Sequence, residues 1–450
     1  MKKNLLLLFT GILLVGTALL SSCGKEGPMG ATGPAGTNGT NGTNGTNGTN
    51  GVDATITCGE CHNKNVVEMA ATQYELAKHS YGEAAFEEAG STTCGPCHLS
   101  ESFKYVCANN TPSTFTLNTS TNKYVNDYFV APTAAYGEIV CSTCHSSLHT
   151  TYGEEDFSPL TTVAPVAMTM WAGAKTIDVQ ADGGISNLCI KCHQPRPFTA
   201  SAGNGNVLDY VGIASNPTAI FYDPASTTNK LKPGYRTHTH YGTVGAVYAG
   251  MGGVEFAGSL PYTSSIHTTL ASCQDCHMST MQGKSGGHTF TAAGNFNGCS
   301  QSGCHSSAIT STSTTFWTTP RGEIKTLLGT LASKLAINGV EIMNRNPDAE
   351  ANLWAGHTAN NYDGYLNIYD PINNPNGLTN NPTGTFQNPN PSGSWTAAQK
   401  ATNLTLPLIT LTNAQFGSII NFQMCLREYS LGIHNYAYTK ALLQNSIEKL

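Results

Sequence analysis

A chain of 450 residues that is 39% hydrophobic has enough apolar content to bury a core, which excludes wholesale disorder. Only 11% of it is charged, and 22 Lys and Arg against 28 Asp and Glu leave a net charge of -6 with no basic run beyond Lys2 and Lys3. This excludes a nucleic-acid-binding surface. The 15 cysteines are an odd number that no closed set of intramolecular disulfides can consume.

In chain order, Lys2 and Lys3 precede an apolar run from Leu5 to Leu20. Sixteen residues fall short of the roughly 20 needed to span a bilayer, so residues 1–22 read as a signal peptide. Its end, Leu20-Ser21-Ser22-Cys23, resembles a bacterial lipobox, which implies lipidation of Cys23 and attachment to a membrane. Gly24 after it resembles an outer-membrane sorting context, so the expected location is an outer-membrane lipoprotein facing periplasm or cell surface. From Gly24 to Gly51 glycine recurs at every third position, making 23–53 a collagen-like Gly-X-Y stalk. Two readings stay open for it: a triple helix, which implies a homotrimer, or a flexible spacer, because prolines are few.

The cysteines that follow come in pairs, each followed at once by histidine. Five pairs have two intervening residues: Cys58, Cys61 and His62; Cys94, Cys97 and His98; Cys141, Cys144 and His145; Cys189, Cys192 and His193; Cys273, Cys276 and His277. A sixth has four: Cys299, Cys304 and His305. Chance would give on the order of 0.02 copies of C-x-x-C-H in this length. The chemistry explains the spacing, since two thiols add across the vinyl groups on one porphyrin edge and the next residue presents its imidazole to the iron. Two rivals use similar residues. Zinc takes two C-x-x-C pairs per ion and has no need of a histidine after each. Cys94-Gly95-Pro96-Cys97 alone reads as a thioredoxin-like motif, but it sits in a series with five relatives.

On these motifs the chain resembles the multihaem c-type cytochromes, and the longer sixth motif is similar to the variant attachment site of the c3 type. The resemblance implies six haem c groups in a region spanning 54–310, with His62, His98, His145, His193, His277 and His305 as proximal iron ligands. It also implies a mainly α fold with extensive irregular loops and little sheet, wrapped around a haem stack.

Eight histidines remain. His79, His149, His240, His267, His288 and His434 are the candidates for distal ligation, with His240 favoured over His238 and His357 as the spare. His434 lies in Gly432-Ile433-His434-Asn435, similar to a segment that often ends such proteins. With histidine in surplus, bis-histidine coordination and low potentials are expected rather than methionine ligation.

After His305 no attachment motif follows. Residues 311–450 are expected to pack on the haem array and return one ligand to it, using a helix with Ile324, Leu327, Leu328, Leu331 and Leu335, another near Phe416 to Leu426, and a last one from Tyr438 to Leu450. A further helix is expected from near Asn65 to His79, and a loop from Pro371 to Pro391. Cys107 and Cys425 remain, and two readings stay open for them: a disulfide, which an oxidising compartment permits, or two free buried thiols. With about 66 residues for each motif from 54 to 450, the porphyrins themselves are expected to supply much of the core.

The function implied is electron transfer in the cell envelope, with redox proteins or extracellular electron acceptors as partners. Removal of Lys2 and Lys3 leaves 20 basic residues against 28 acidic, a net charge of -8, so basic partners and salt-sensitive rates are expected. Two other classes stay open. A redox enzyme of the nitrite or hydroxylamine type needs an open iron, which six histidine motifs with spare imidazoles argue against. The other is a subunit of a surface cytochrome filament.

Overall fold

A computed structural model describes residues 59, 61–81, 94–108, 115–118, 123–126, 137–168, 171, 175–196, 198, 208–223, 225–228, 231, 233, 237–301, 303–305, 308–337, 340–345, 362–366 and 410–450. The signal segment, the stalk with Cys23, Cys58, His357 and the loop from 371 to 391 lie outside the described residues.

The protein is mainly helical with little sheet. Its longer helices are α1 (Val67–Glu75), α2 (Ser100–Ala108), α3 (Ile185–Cys192), α4 (Thr319–Lys334), α5 (Asn413–Arg427) and α6 (Tyr436–Lys449). The strands described form five separate antiparallel pairs, such as Phe115–Asn118 with Lys123–Asn126 and Leu411–Thr412 with Ile220–Tyr222. Pairs this short are marginal by themselves and serve to pin loops to helices.

The ends of the last two helices are written in local side chains. Thr412 and Gln415 form a reciprocal capping box, with Gln415 N–H donating to Thr412 Oγ1 at 3.2 Å and Thr412 N–H donating to Gln415 Oε1 at 2.9 Å. Asn435 caps α6 by accepting Tyr438 N–H at 3.3 Å. Helix α4 has Pro320 in its first turn, where a missing N–H costs nothing.

Helix α5 is buried on every side, from Phe416 through Arg427. It packs against α4 and α6, and its neighbours in one continuous core include Val166, Ile190, Phe221, Val254, Phe256, Ile324, Leu331, Tyr438 and Leu442. The described part of 311–450 builds a protein core with Val166, Ile190, Phe221, Val254 and Phe256, and polar side chains of α5 are satisfied inside it, Asn421 donating to the Val254 carbonyl at 2.8 Å.

Two expected helices differ in detail. The one beginning near Asn65 is interrupted after Glu75, where Leu76 and Ala77 make tighter bonds to Gln73 and Tyr74, and it resumes as Lys78–Tyr81 with His79 in the second piece. Helix α6 starts at Tyr436, two residues before the expected start, because Asn435 supplies its cap.

Candidate functional site

In a helical turn, residues three apart lie on the same face. Gly95–His98, Cys141–Cys144, the end of α3 and Cys273–His277 are such turns, and each carries a cysteine pair at that spacing. The histidine after the pair is drawn back over the turn: His98, His145 and His193 donate their backbone N–H to the carbonyl of the first cysteine of their motif at 3.1, 2.9 and 2.9 Å. In the sixth motif His305 donates to the Cys299 carbonyl at 3.3 Å. Two extra residues are thus absorbed by a 3-10 turn at Gly298–Ser300 and a left-handed Gly303 at φ 88°, and the motif closes as the shorter ones do.

The motifs lie side by side. Ser100 and Thr143 hydroxyls meet at 2.6 Å, joining the second motif to the third. Cys97 Sγ stands 3.9 Å from the Lys191 carbonyl and Cys273 N–H donates to Ser186 Oγ at 2.9 Å, which joins the second, fourth and fifth. A Cβ on Gly298 would stand 2.5 Å from the Asp275 carbonyl, so only glycine lets the sixth motif close on the fifth.

Each motif histidine has one imidazole opposite it. The pairs and their ring-centroid separations are His62 with His149 at 5.7 Å, His193 with His79 at 6.0 Å, and His98 with His240 at 6.2 Å. The others are His145 with His288 at 6.4 Å, His305 with His267 at 6.1 Å, and His277 with His434 at 6.2 Å. Two imidazoles on opposite sides of one iron, each with a metal–nitrogen bond of about 2 Å and about 1.1 Å from nitrogen to ring centre, have centroids about 6.2 Å apart. The fit holds for all six. In the first pair the Nε2 atoms face each other at 3.5 Å, slightly inside the roughly 4 Å of two such bonds.

The other ring nitrogen is held by the protein. His145 Nδ1 meets the Phe157 carbonyl at 2.9 Å, His277 Nδ1 the Phe290 carbonyl at 2.8 Å and His267 Nδ1 the Ile433 carbonyl at 3.0 Å. His434 Nδ1 meets a carboxylate oxygen of Glu428 at 2.7 Å. Such outer contacts place the N–H on Nδ1 and leave the Nε2 lone pair free to bind a metal. The protein packed around His193 and His240 disfavours their charged forms, pushing His193 down to about 4 and His240 far below its usual value, so both are neutral imidazoles at neutral pH. Neutral imidazole is the form that binds metal.

His149, His240 and Phe290 have left-handed backbones, with φ of 63, 83 and 54°. Side chains rarely adopt this region, and each instance costs of order 1–3 kcal/mol where the surroundings hold it. Two of the three are paired imidazoles. Phe290 lies among three pairs: its ring stands edge-on to His79 at 5.2 Å and to His288 at 5.8 Å, and its carbonyl holds His277.

All twelve paired histidines line one continuous cavity of about 2930 Å³, together with Cys61, Cys94, Cys97, Cys141, Cys144 and the later motif cysteines. Shared among six groups this is about 490 Å³ each, within the roughly 300–1,000 Å³ that encloses one ligand. His238 stands beside its neighbour instead, its Nδ1 accepting the His240 N–H at 3.0 Å, so His240 is the one that reaches His98.

Of the two readings for Cys107 and Cys425, the structure has the free thiols. Cys425 is fully buried in α5 with its thiol directed at the Thr439 carbonyl, whereas Cys107 sits at the end of α2 beside the cluster of motif cysteines, and both are free thiols. The helices that carry them serve different parts of the protein. Sequence reasoning also passed over Glu428, Phe157 and Phe290. Glu428 had one signal, as an isolated acid between an apolar helix and His434. The two carbonyl contacts had none, because any residue offers a carbonyl.

Comparisons of the chain with protein-family models, with curated proteins and with solved structures find no match.

Proposed function

We propose that this chain is an electron-transfer protein that carries six covalently attached c-type haems, each with two histidine ligands, wrapped by short helices and loops. The observation that carries the reading is the one-to-one pairing of six motif histidines with six others at 5.7–6.4 Å. A haem iron takes up and gives back one electron without making or breaking a bond. The chain's own groups would supply the rest: the motif cysteines would hold each porphyrin, each pair of facing histidines would ligate its iron, and backbone carbonyls hold several of the imidazoles in place. Closed axial positions favour electron transfer over substrate chemistry. The lipobox-like Cys23 and the stalk suit a module tethered to the outer membrane, whose net charge of -8 favours basic redox partners.

The test is expression with a cytochrome c maturation system, followed by intact mass and electron paramagnetic resonance (EPR). Six covalent haems, all low-spin in the ferric state, are expected. Fewer than six would remove motifs from the assignment. A high-spin ferric signal would indicate an open iron and favour the enzyme class.

A further inference from the structure

Glu428 is a buried acid, 0% exposed, directly after the last residue of α5. Its carboxylate accepts four hydrogen bonds: His434 Nδ1–H at 2.7 Å, Ser430 N–H at 3.1 Å, Ser430 Oγ–H at 2.5 Å and Gly432 N–H at 2.9 Å. Left-handed backbones at Tyr429, Leu431 and Gly432, with φ of 62, 56 and 88°, wind the chain around it. Four donors and no acceptor are a setting for the ionised carboxylate. The other outer partners seen at paired imidazoles, the carbonyls of Phe157, Phe290 and Ile433, carry no net charge.

A carboxylate that accepts the N–H of a ligating imidazole draws the proton toward itself and makes the ring a stronger, more anionic donor. A stronger donor stabilises ferric iron over ferrous. The buried negative charge adds to this at short range in a weakly screening interior. On the opposite side, Arg427 lies over the Tyr241 ring at 4.2 Å, next to His240, and a positive charge there favours the ferrous form of the His98–His240 site.

We propose that Glu428 is a positioning residue, acting through His434, that gives the His277–His434 site the most negative reduction potential of the six. The proposal rests on the haem assignment made above. The test is EPR-monitored potentiometric titration of the full holoprotein and of Glu428→Gln, with Ser430→Ala as the variant that removes one donor to the carboxylate and the hydroxyl that accepts His434 N–H at 3.1 Å, but keeps the carboxylate and its bond to His434 Nδ1.

In Glu428→Gln the most negative midpoint is expected to rise by at least a tenfold change in the ferric–ferrous equilibrium constant, about 59 mV for one electron. Ser430→Ala should move it less than threefold. In the unaltered protein the most negative step should belong to a signal of the near-parallel imidazole class, since the His277 and His434 rings are 8° apart. That measurement stands even where Glu428→Gln fails to mature. An unchanged lowest midpoint in a six-haem Glu428→Gln protein, or a lowest step in a perpendicular-class signal, overturns the role of Glu428 and leaves the haem assignment intact. Absence of six low-spin haems in the unaltered protein overturns the assignment itself.

Discussion

His277 and His434 face each other with their rings 8° from parallel, whereas His267 and His305 cross at 84°. Parallel axial imidazoles split the two iron orbitals that interact with them, and perpendicular ones leave those orbitals nearly equal in energy. With haem bound as proposed, the six pairs would fall into spectral classes. His62–His149, at 16°, joins the near-parallel class and should give a rhombic low-spin signal. His79–His193 at 68° and His98–His240 at 77° join the class with one large g value. His145–His288, at 37°, falls between. Spin quantification should return two, three and one haem respectively, and a uniform set of six rhombic signals would contradict the pairing.

The sixth motif is tested by replacing both of its cysteines. Cys299→Ser with Cys304→Ser should lower the covalent haem count from six to five while the other motifs stay loaded, read by intact mass. Closure of His305 on the Cys299 carbonyl at 3.3 Å is the structural reason to expect attachment at this longer spacing. A doubly substituted protein of undiminished haem mass would show that the pair is structural.

Thiol chemistry separates free cysteines from a disulfide. Burial pushes Cys107 up to about 11 and Cys425 well above the usual thiol range, so both stay protonated and unreactive at pH 8. Iodoacetamide should modify neither in the native holoprotein and both after denaturation without reductant. Two added groups are the expected mass change. None would restore the Cys107–Cys425 disulfide.

Asn435 ties three segments together. Its amide oxygen caps α6 and accepts Ser265 N–H at 2.9 Å, and its amide N–H groups reach the Tyr248 carbonyl at 3.1 Å and Ser264 Oγ at 3.2 Å. Asn435→Ala removes a helix cap, about 1 kcal/mol, and leaves buried groups unsatisfied, about 1–3 kcal/mol. A loss of about 2–4 kcal/mol in guanidinium unfolding followed by circular dichroism is expected. A loss under about 0.5 kcal/mol, the range of ordinary surface changes, would show that Asn435 is replaceable there.

His238 and His240 show how far local reasoning reached. Both were candidates from composition and context, and Thr239 alone separates them. The left-handed backbone at His240 turns that ring toward His98, while the Nδ1 atom of His238 is held in a local hydrogen bond. No periodicity signals such a turn. Helices α4, α5 and α6, by contrast, were legible from their apolar residues, because that signal is local, although the Asn435 cap that sets the start of α6 was missed.

The sequence alone determined the residues on which the proposed chemistry rests: six cysteine pairs with an adjoining histidine, a surplus of imidazoles, and helices where apolar residues recur. Attachment needs residues close together in the chain, so it can be read from spacing. Tertiary structure decided which imidazole stands opposite which. His62 meets His149 across 87 positions and His277 meets His434 across 157, and such pairs form only when loops without periodicity are folded onto one cavity. It also decided that Glu428 stands behind one of these histidines and that Cys107 and Cys425 stay apart, since burial and long-range contacts leave no mark on residue spacing.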